Sequence, residues 1–112
     1  MKQFELWWAV LPEPIGRRPV LLLSRSPAYE YLTRVIVVEI STTIRGIPQE
    51  VSLGRAEGLK LRSVANLDAV HVVAKERLER RIGELALRRT REIKRALGYA
   101  LDFPELKRIG EN

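Results

Sequence analysis

Two arginines, Arg17 and Arg18, stand directly before Pro19 at the head of an aliphatic run, in the segment "IGRRPVLLLSR" from Ile15 to Arg25. A guanidinium is a planar fork of permanent charge that matches phosphate or carboxylate oxygens, so this pair at the mouth of a strand suits an anion. Further along, Ser41, Thr42 and Thr43 form a hydroxyl cluster, Arg45 adds a fixed charge, and His71 is the only histidine. Hydroxyls can hold a phosphate or a sugar, and an imidazole can carry a proton near neutral pH. Each feature also has an ordinary structural reading. The arginines can be solvated loop residues, the Ser-Thr-Thr cluster polar filling at a strand end, and His71 a strand histidine with one hydrogen bond.

Other chemistries are poorly served. There is no cysteine, which excludes disulfides, thiolate nucleophiles and zinc–thiolate sites. "PIGRRP" has one glycine and no Lys–Ser/Thr pair, so it is no phosphate-binding loop of the Gly-rich type. A single histidine without paired carboxylates at helical or turn spacing gives no expectation of a metal, and no cofactor is expected. Ser24 or Ser63 with His71 and Asp68 could be written as a hydrolase triad, but nothing resembles a nucleophile elbow. Lys and Arg number 20 against 14 Asp and Glu, a net charge of +6. Arginine outnumbers lysine, and interspersed glutamates can pair with much of the basic run from Lys75 to Arg95. The surplus favours RNA, DNA or an acidic protein segment as partner, with membrane lipid a weaker candidate.

The elements that must position these residues follow from periodicity. A chain of 112 residues with 46% hydrophobic and 30% charged side chains, interleaved throughout, is expected to form one domain over residues 1–112. The segments 4–11, "RPVLLLSR" from Arg18, 33–41, 49–53 and 63–73 read as short strands separated by turn signals, which suits a small barrel or a bent antiparallel sheet. The opening apolar run is interrupted by Glu5, Pro12 and Pro14, too soon for a signal peptide or membrane span. From 87 to about 101, Leu87, Thr90, Ile93, Leu97 and Leu101 recur at helical spacing. Gly98 within that helix implies a close contact or a weaker helix end. Residues 104–112 are expected to fray, although "PELKRIG" could add a short turn.

Four segments, "ELWWAVLPEPIGRRPVLLLS", "VIVVEISTTIRGIPQEVSL", "SVANLDAVHVVAKERLERRIGEL" and the terminal amphipathic helix, together resemble the MazF/PemK family of toxins from type II toxin-antitoxin modules. The resemblance covers about residues 5 to 101 and lies in the order and spacing of the pieces. It implies an α+β fold, a small SH3-like antiparallel β-barrel with a C-terminal α-helix. It also implies a cytoplasmic homodimer that cuts single-stranded RNA without metal and is inhibited by an antitoxin with an acidic C-terminal segment. The family's catalytic arginine falls on Arg18 and its catalytic hydroxyl on Ser41, with Thr42 an adjacent alternative. Arg17, Thr42, Thr43, Arg45 and His71 become candidate RNA contacts, Arg17 as a phosphate-positioning group.

The chemistry fits those residue types. Cutting RNA without metal requires the ribose 2′-OH to attack the adjacent phosphate, the added negative charge to be stabilised, and the departing 5′-oxygen to be protonated. An arginine with a pKa above about 12 stabilises charge and does not shuttle protons. His71 and Glu50 are the candidate proton carriers. Four features depart from the family pattern: Ser41 where the family has threonine, a short "PEPIG" loop, Phe4 where glycine is common, and Ala69 where glutamine is usual. They motivate an alternative, a non-catalytic RNA-binding module or a CcdB-like gyrase-binding module on the same fold.

Overall fold

The computed structural model describes residues 1–110. Strands β1 (Glu5–Leu11) and β2 (Gly16–Leu22) form an antiparallel pair in which Leu6 faces Leu21 and Ala9 faces Arg18. β3 (Arg34–Ser41), β4 (Glu50–Leu53), β5 (Ser63–Ala74) and β6 (Leu78–Glu84) complete one six-stranded sheet in the order β4-β5-β3-β2-β1-β6. Every pairing in it is antiparallel.

Strands β2 and β3 are buried on both faces at Val20, Leu21 and Leu22 and at Val37 and Val38, which explains the consecutive aliphatic residues there. Leu6, Leu21, Val38, Ile40 and Ala65 point to one core with Ile93 and Ala96 of the C-terminal helix. Ala9, Val20, Leu22, Val35 and Val37 point to a second core, closed by Tyr29 from the 3₁₀ turn Ser26–Glu30. A strand covered on both sides needs apolar residues at consecutive positions, not alternate ones. Each such leucine or valine contributes about 1.5–3 kcal/mol by leaving water.

The sheet curls into a half-barrel because its far edges meet through backbone. The turn Arg55–Glu57 and Gly58 after it lie against β6, where a Cβ on Gly83 would stand 2.1 Å from the Glu57 carbonyl oxygen. Only glycine admits that approach. Helix α1 (Thr90–Leu101) packs across the sheet and is followed by α2 (Pro104–Lys107). Arg89, at the N-terminus of α1, joins the helix to the sheet. It donates to both Glu92 oxygens at 2.8 Å, to the Ser52 carbonyl at 2.7 Å and to buried Glu57 at 3.3 Å. The hydrogen bonds from Arg89 hold the Glu92 carboxyl below its usual range.

The structure matches the expected α+β architecture, with three differences. β6 is a strand the sequence does not announce, because Glu79, Arg80 and Arg81 are exposed on an edge strand and show no alternation. The buried stripe of α1 runs through Ile93 and Ala96, while Leu87 belongs to the preceding 3₁₀ turn and is 86% exposed. Gly98 marks a close contact: a Cβ there would lie 2.7 Å from the Cβ of Leu106, so α2 folds back onto α1 over residues expected to fray. The last two positions of that expectation, 111–112, lie outside the described residues. Among the described residues no helix is long and apolar enough to cross a membrane.

Candidate functional site

Period-two geometry sends alternate residues of a strand to the same face. On β3 the residues of the second core continue from Val35 and Val37 to Glu39 and Ser41, so the face turns polar at its end. Val20 of β2 pairs with Glu39, which puts Arg18, two residues earlier, on this face, and His71 of β5 pairs with Val37. The three ionisable side chains converge. Arg18 Nη1 donates to Glu39 Oε1 at 2.5 Å, and His71 Nε2 lies 3.1 Å from Glu39 Oε2. Glu39 is the most covered, with 16% of its side chain exposed against 34% for Arg18. A pair sheltered in this way is screened by salt less than a surface pair.

Beside this cluster the strands part. The β2–β3 ladder stops at Val20–Glu39, next to Pro19, which has no N–H to donate. The β3–β5 register shifts between Val38 and Ile40, an irregularity of the kind that bends a strand and re-aims its side chains. The result is a concavity of about 300 Å³ lined by Arg18, Glu39, Ser41, Thr43, Arg45, Asn66 and Ala69. Ser41 Oγ accepts the Thr43 backbone N–H at 3.0 Å, which fixes the side chain and leaves its O–H to donate to a ligand. The loop carrying Thr43 and Arg45 is tied down by Glu50, whose carboxylate accepts the backbone N–H of Arg45 at 3.1 Å and of Gly46 at 2.9 Å. Glu50 therefore serves the loop and does not line the concavity. Arg18 spends only Nη1 on Glu39, and its Nε and Nη2 have no protein partner among the described residues.

Of the residues singled out in the sequence, Arg18, Ser41, Thr43 and Arg45 share this concavity. His71 binds Glu39 from behind and does not line it. Arg17 points to the opposite face. Its Nε is 2.8 Å from Glu79 and its guanidinium lies 4.2 Å from the Trp8 ring centroid. Thr42 lines a separate concavity of about 580 Å³ with Trp8, Pro19, Leu59 and Arg80. Sequence reasoning missed Glu39 and Asn66. The signal for Glu39 was present, since it is the one charged residue within "VIVVEIS", and a carboxylate in a covered strand requires a partner. Among the described residues no group of three or more metal-ligating side chains occurs.

The family described as PemK-like, MazF-like toxin of type II toxin-antitoxin system matches residues 2–101. The chain is 44% identical over 99 residues to probable endoribonuclease MazF5 of Mycobacterium tuberculosis, covering 88% of this chain and 90% of the relative. Probable endoribonuclease MazF2 of the same species is 36% identical over 93 residues, 82% of this chain and 89% of the relative. Among solved structures, Mycobacterium tuberculosis toxin MazF-mt6 superposes with a TM-score of 0.83 at 34% identity, over 88% of this chain and 96% of that one. A mycobacterial endoribonuclease in complex with its cognate antitoxin gives a TM-score of 0.80 at 26% identity, over 93% and 97% of the two chains. With a family match from residue 2 to residue 101 and relatives above 30% identity over most of its length, the chain belongs to the PemK/MazF family of type II toxin-antitoxin toxins.

Proposed function

We propose that this chain is the toxin of a type II toxin-antitoxin module and an endoribonuclease that cuts single-stranded RNA without a metal ion. The observation that carries the reading is the meeting of Arg18 and Ser41 in one polar concavity where β2 and β3 part. Relatives of the chain bear the name endoribonuclease, and one similar structure is described in complex with its antitoxin.

The scissile phosphate sits against Arg18. The ribose 2′-oxygen attacks phosphorus, the bond to the 5′-oxygen breaks, and the free Nε and Nη2 of Arg18 receive the charge that builds on the non-bridging oxygens. Preorganised donors of this kind contribute about 3–4 kcal/mol to the transition state. Ser41 donates its O–H to the phosphate or the sugar, and Thr43 and Arg45 hold the strand at the rim. The net charge of +6 draws RNA to the protein and suits an antitoxin with an acidic C-terminal segment. The toxin works in the cytoplasm as a homodimer, and Arg17 and Thr42, on the other face, contact RNA beyond the cleaved linkage.

Incubating the purified protein with single-stranded RNA in EDTA tests this. The expected products carry a 2′,3′-cyclic phosphate and a 5′-hydroxyl. RNA left whole, or cut only when a divalent cation is restored, contradicts the reading.

A further inference from the structure

We propose that Glu39 is the proton acceptor of the cleavage reaction, taking the ribose 2′-OH proton, and that His71 is the positioning residue behind it; this rests on the endoribonuclease reading above. Attack by a 2′-oxygen needs a base, and arginine keeps its proton throughout the accessible pH range. Among the described residues Glu39 is the one carboxylate that lines the concavity with Arg18 and Ser41, since Glu50 is engaged by loop N–H groups. Its two oxygens are held from the two flanking strands, Oε1 by Arg18 of β2 and Oε2 by His71 of β5. Each oxygen keeps a further lone pair. The charged or titratable groups facing it are Arg18, His71 and, from the β3–β4 loop, Arg45.

The choice of residue supports the role. A glutamine would accept from Arg18 and fill the same space, without the repulsion that a carboxylate exerts on an incoming phosphate. A carboxylate that shares its arginine with that phosphate is placed where the 2′-hydroxyl adjoining the phosphate must lie. The proton passes from the 2′-oxygen to Glu39 as the 2′-oxygen–phosphorus bond forms. The phosphorus–5′-oxygen bond breaks, and the departing oxygen takes a proton from water at the open side of the concavity. Glu39 returns its proton to solvent before the next turnover. His71, outside the concavity, keeps the carboxylate oriented through its Nε2.

Three measurements on Glu39→Gln test the assignment: single-turnover cleavage across pH, affinity for an uncleavable oligonucleotide with 2′-deoxy substitution, and thermal melting. The expected result is a loss of cleavage of about 100-fold or more. The acidic limb of the wild-type rate profile disappears, while the 2′-deoxy oligonucleotide binds as well as before or more tightly. Glu39→Asp, which retains a carboxylate, cuts faster than Glu39→Gln and keeps the acidic limb. His71→Gln, which retains an N–H donor, cuts at least tenfold faster than His71→Leu at matched melting temperature. Glu39→Gln that cuts within about threefold of wild type with the acidic limb intact overturns the role of Glu39 alone, as does loss of oligonucleotide binding in step with cleavage. A wild-type protein that leaves RNA whole overturns the endoribonuclease reading and this inference with it.

Discussion

Arg18 and Arg89 both hold a shielded glutamate, yet they differ in what they leave over. Arg89 has every nitrogen engaged, to Glu92, Glu57 and the Ser52 carbonyl, with four of its five N–H groups used inside the fold. Arg18 commits Nη1 to Glu39, leaves Nε and Nη2 without a partner among the described residues, and lines an open concavity. A satisfied arginine is a fastener. One with spare donors beside a cavity is equipped to bind, and Arg17, exposed against Trp8 and Glu79 on the other face, matches neither pattern.

The largest expected effect tests what the spare donors do. Arg18→Lys keeps the charge and loses the fork, and single-turnover cleavage should fall about 100-fold, equivalent to about 2.7 kcal/mol in the barrier. A lysine variant within fivefold of wild type would mean that charge alone suffices.

Arg89→Met should leave cleavage per folded molecule unchanged and lower stability by about 2–3 kcal/mol in urea unfolding, because buried Glu57 loses its cation. The acid response follows from the same contacts. Arg89 lowers the Glu92 carboxyl, so this contribution is fully present above the unfolded carboxyl value near about 4.3 and is lost as pH falls through the lower folded value. Arg89→Met should therefore lose less of its own stability between pH 6 and pH 3 than the wild type loses, as read from urea midpoints. An unchanged acid response would separate Glu92 from the fastening of α1.

Ser41→Ala should reduce cleavage about tenfold, the value of one hydrogen bond to a charged group. Ser41→Thr, which retains the hydroxyl, should cut at nearly the wild-type rate, and Thr42→Ala, on the other face, should lose less than Ser41→Ala. Equal losses at positions 41 and 42 would show that the two concavities act on the same linkage. The smallest effect belongs to Arg17→Ala. Its exposed ion pair and its contact with Trp8 are each worth about 1 kcal/mol or less, so melting should barely change. Cleavage should fall less than threefold, with a slightly shallower salt dependence of RNA binding.

Much of this arrangement was legible in the sequence. The dense Val and Ile of β3 and the 3.6-residue stripe of α1 identify those elements, because burial leaves its period in the residues. Arg18 and Ser41 stand out only through the resemblance to the MazF/PemK pattern. The resemblance separates Arg18 from Arg17, but the residues alone do not, because which of two consecutive strand residues faces a cavity depends on register, and register is fixed by pairing with β1 and β3. Glu39 stands out as a carboxylate in a covered strand, but its partners are hidden for a related reason. They come from two other strands, Arg18 from β2 and His71 from β5. β6 is not legible because an exposed edge strand of charged residues carries no alternating signal.

The central claim is that Arg18 acts on the phosphate and is not a structural fastener. Single-turnover cleavage of single-stranded RNA in EDTA by wild type and Arg18→Ala, with melting curves recorded for both, tests it most directly. The expected result is rapid cutting by the wild type and a loss of at least about 100-fold in a variant that melts as wild type does. Equal cutting by the two folded proteins would contradict it.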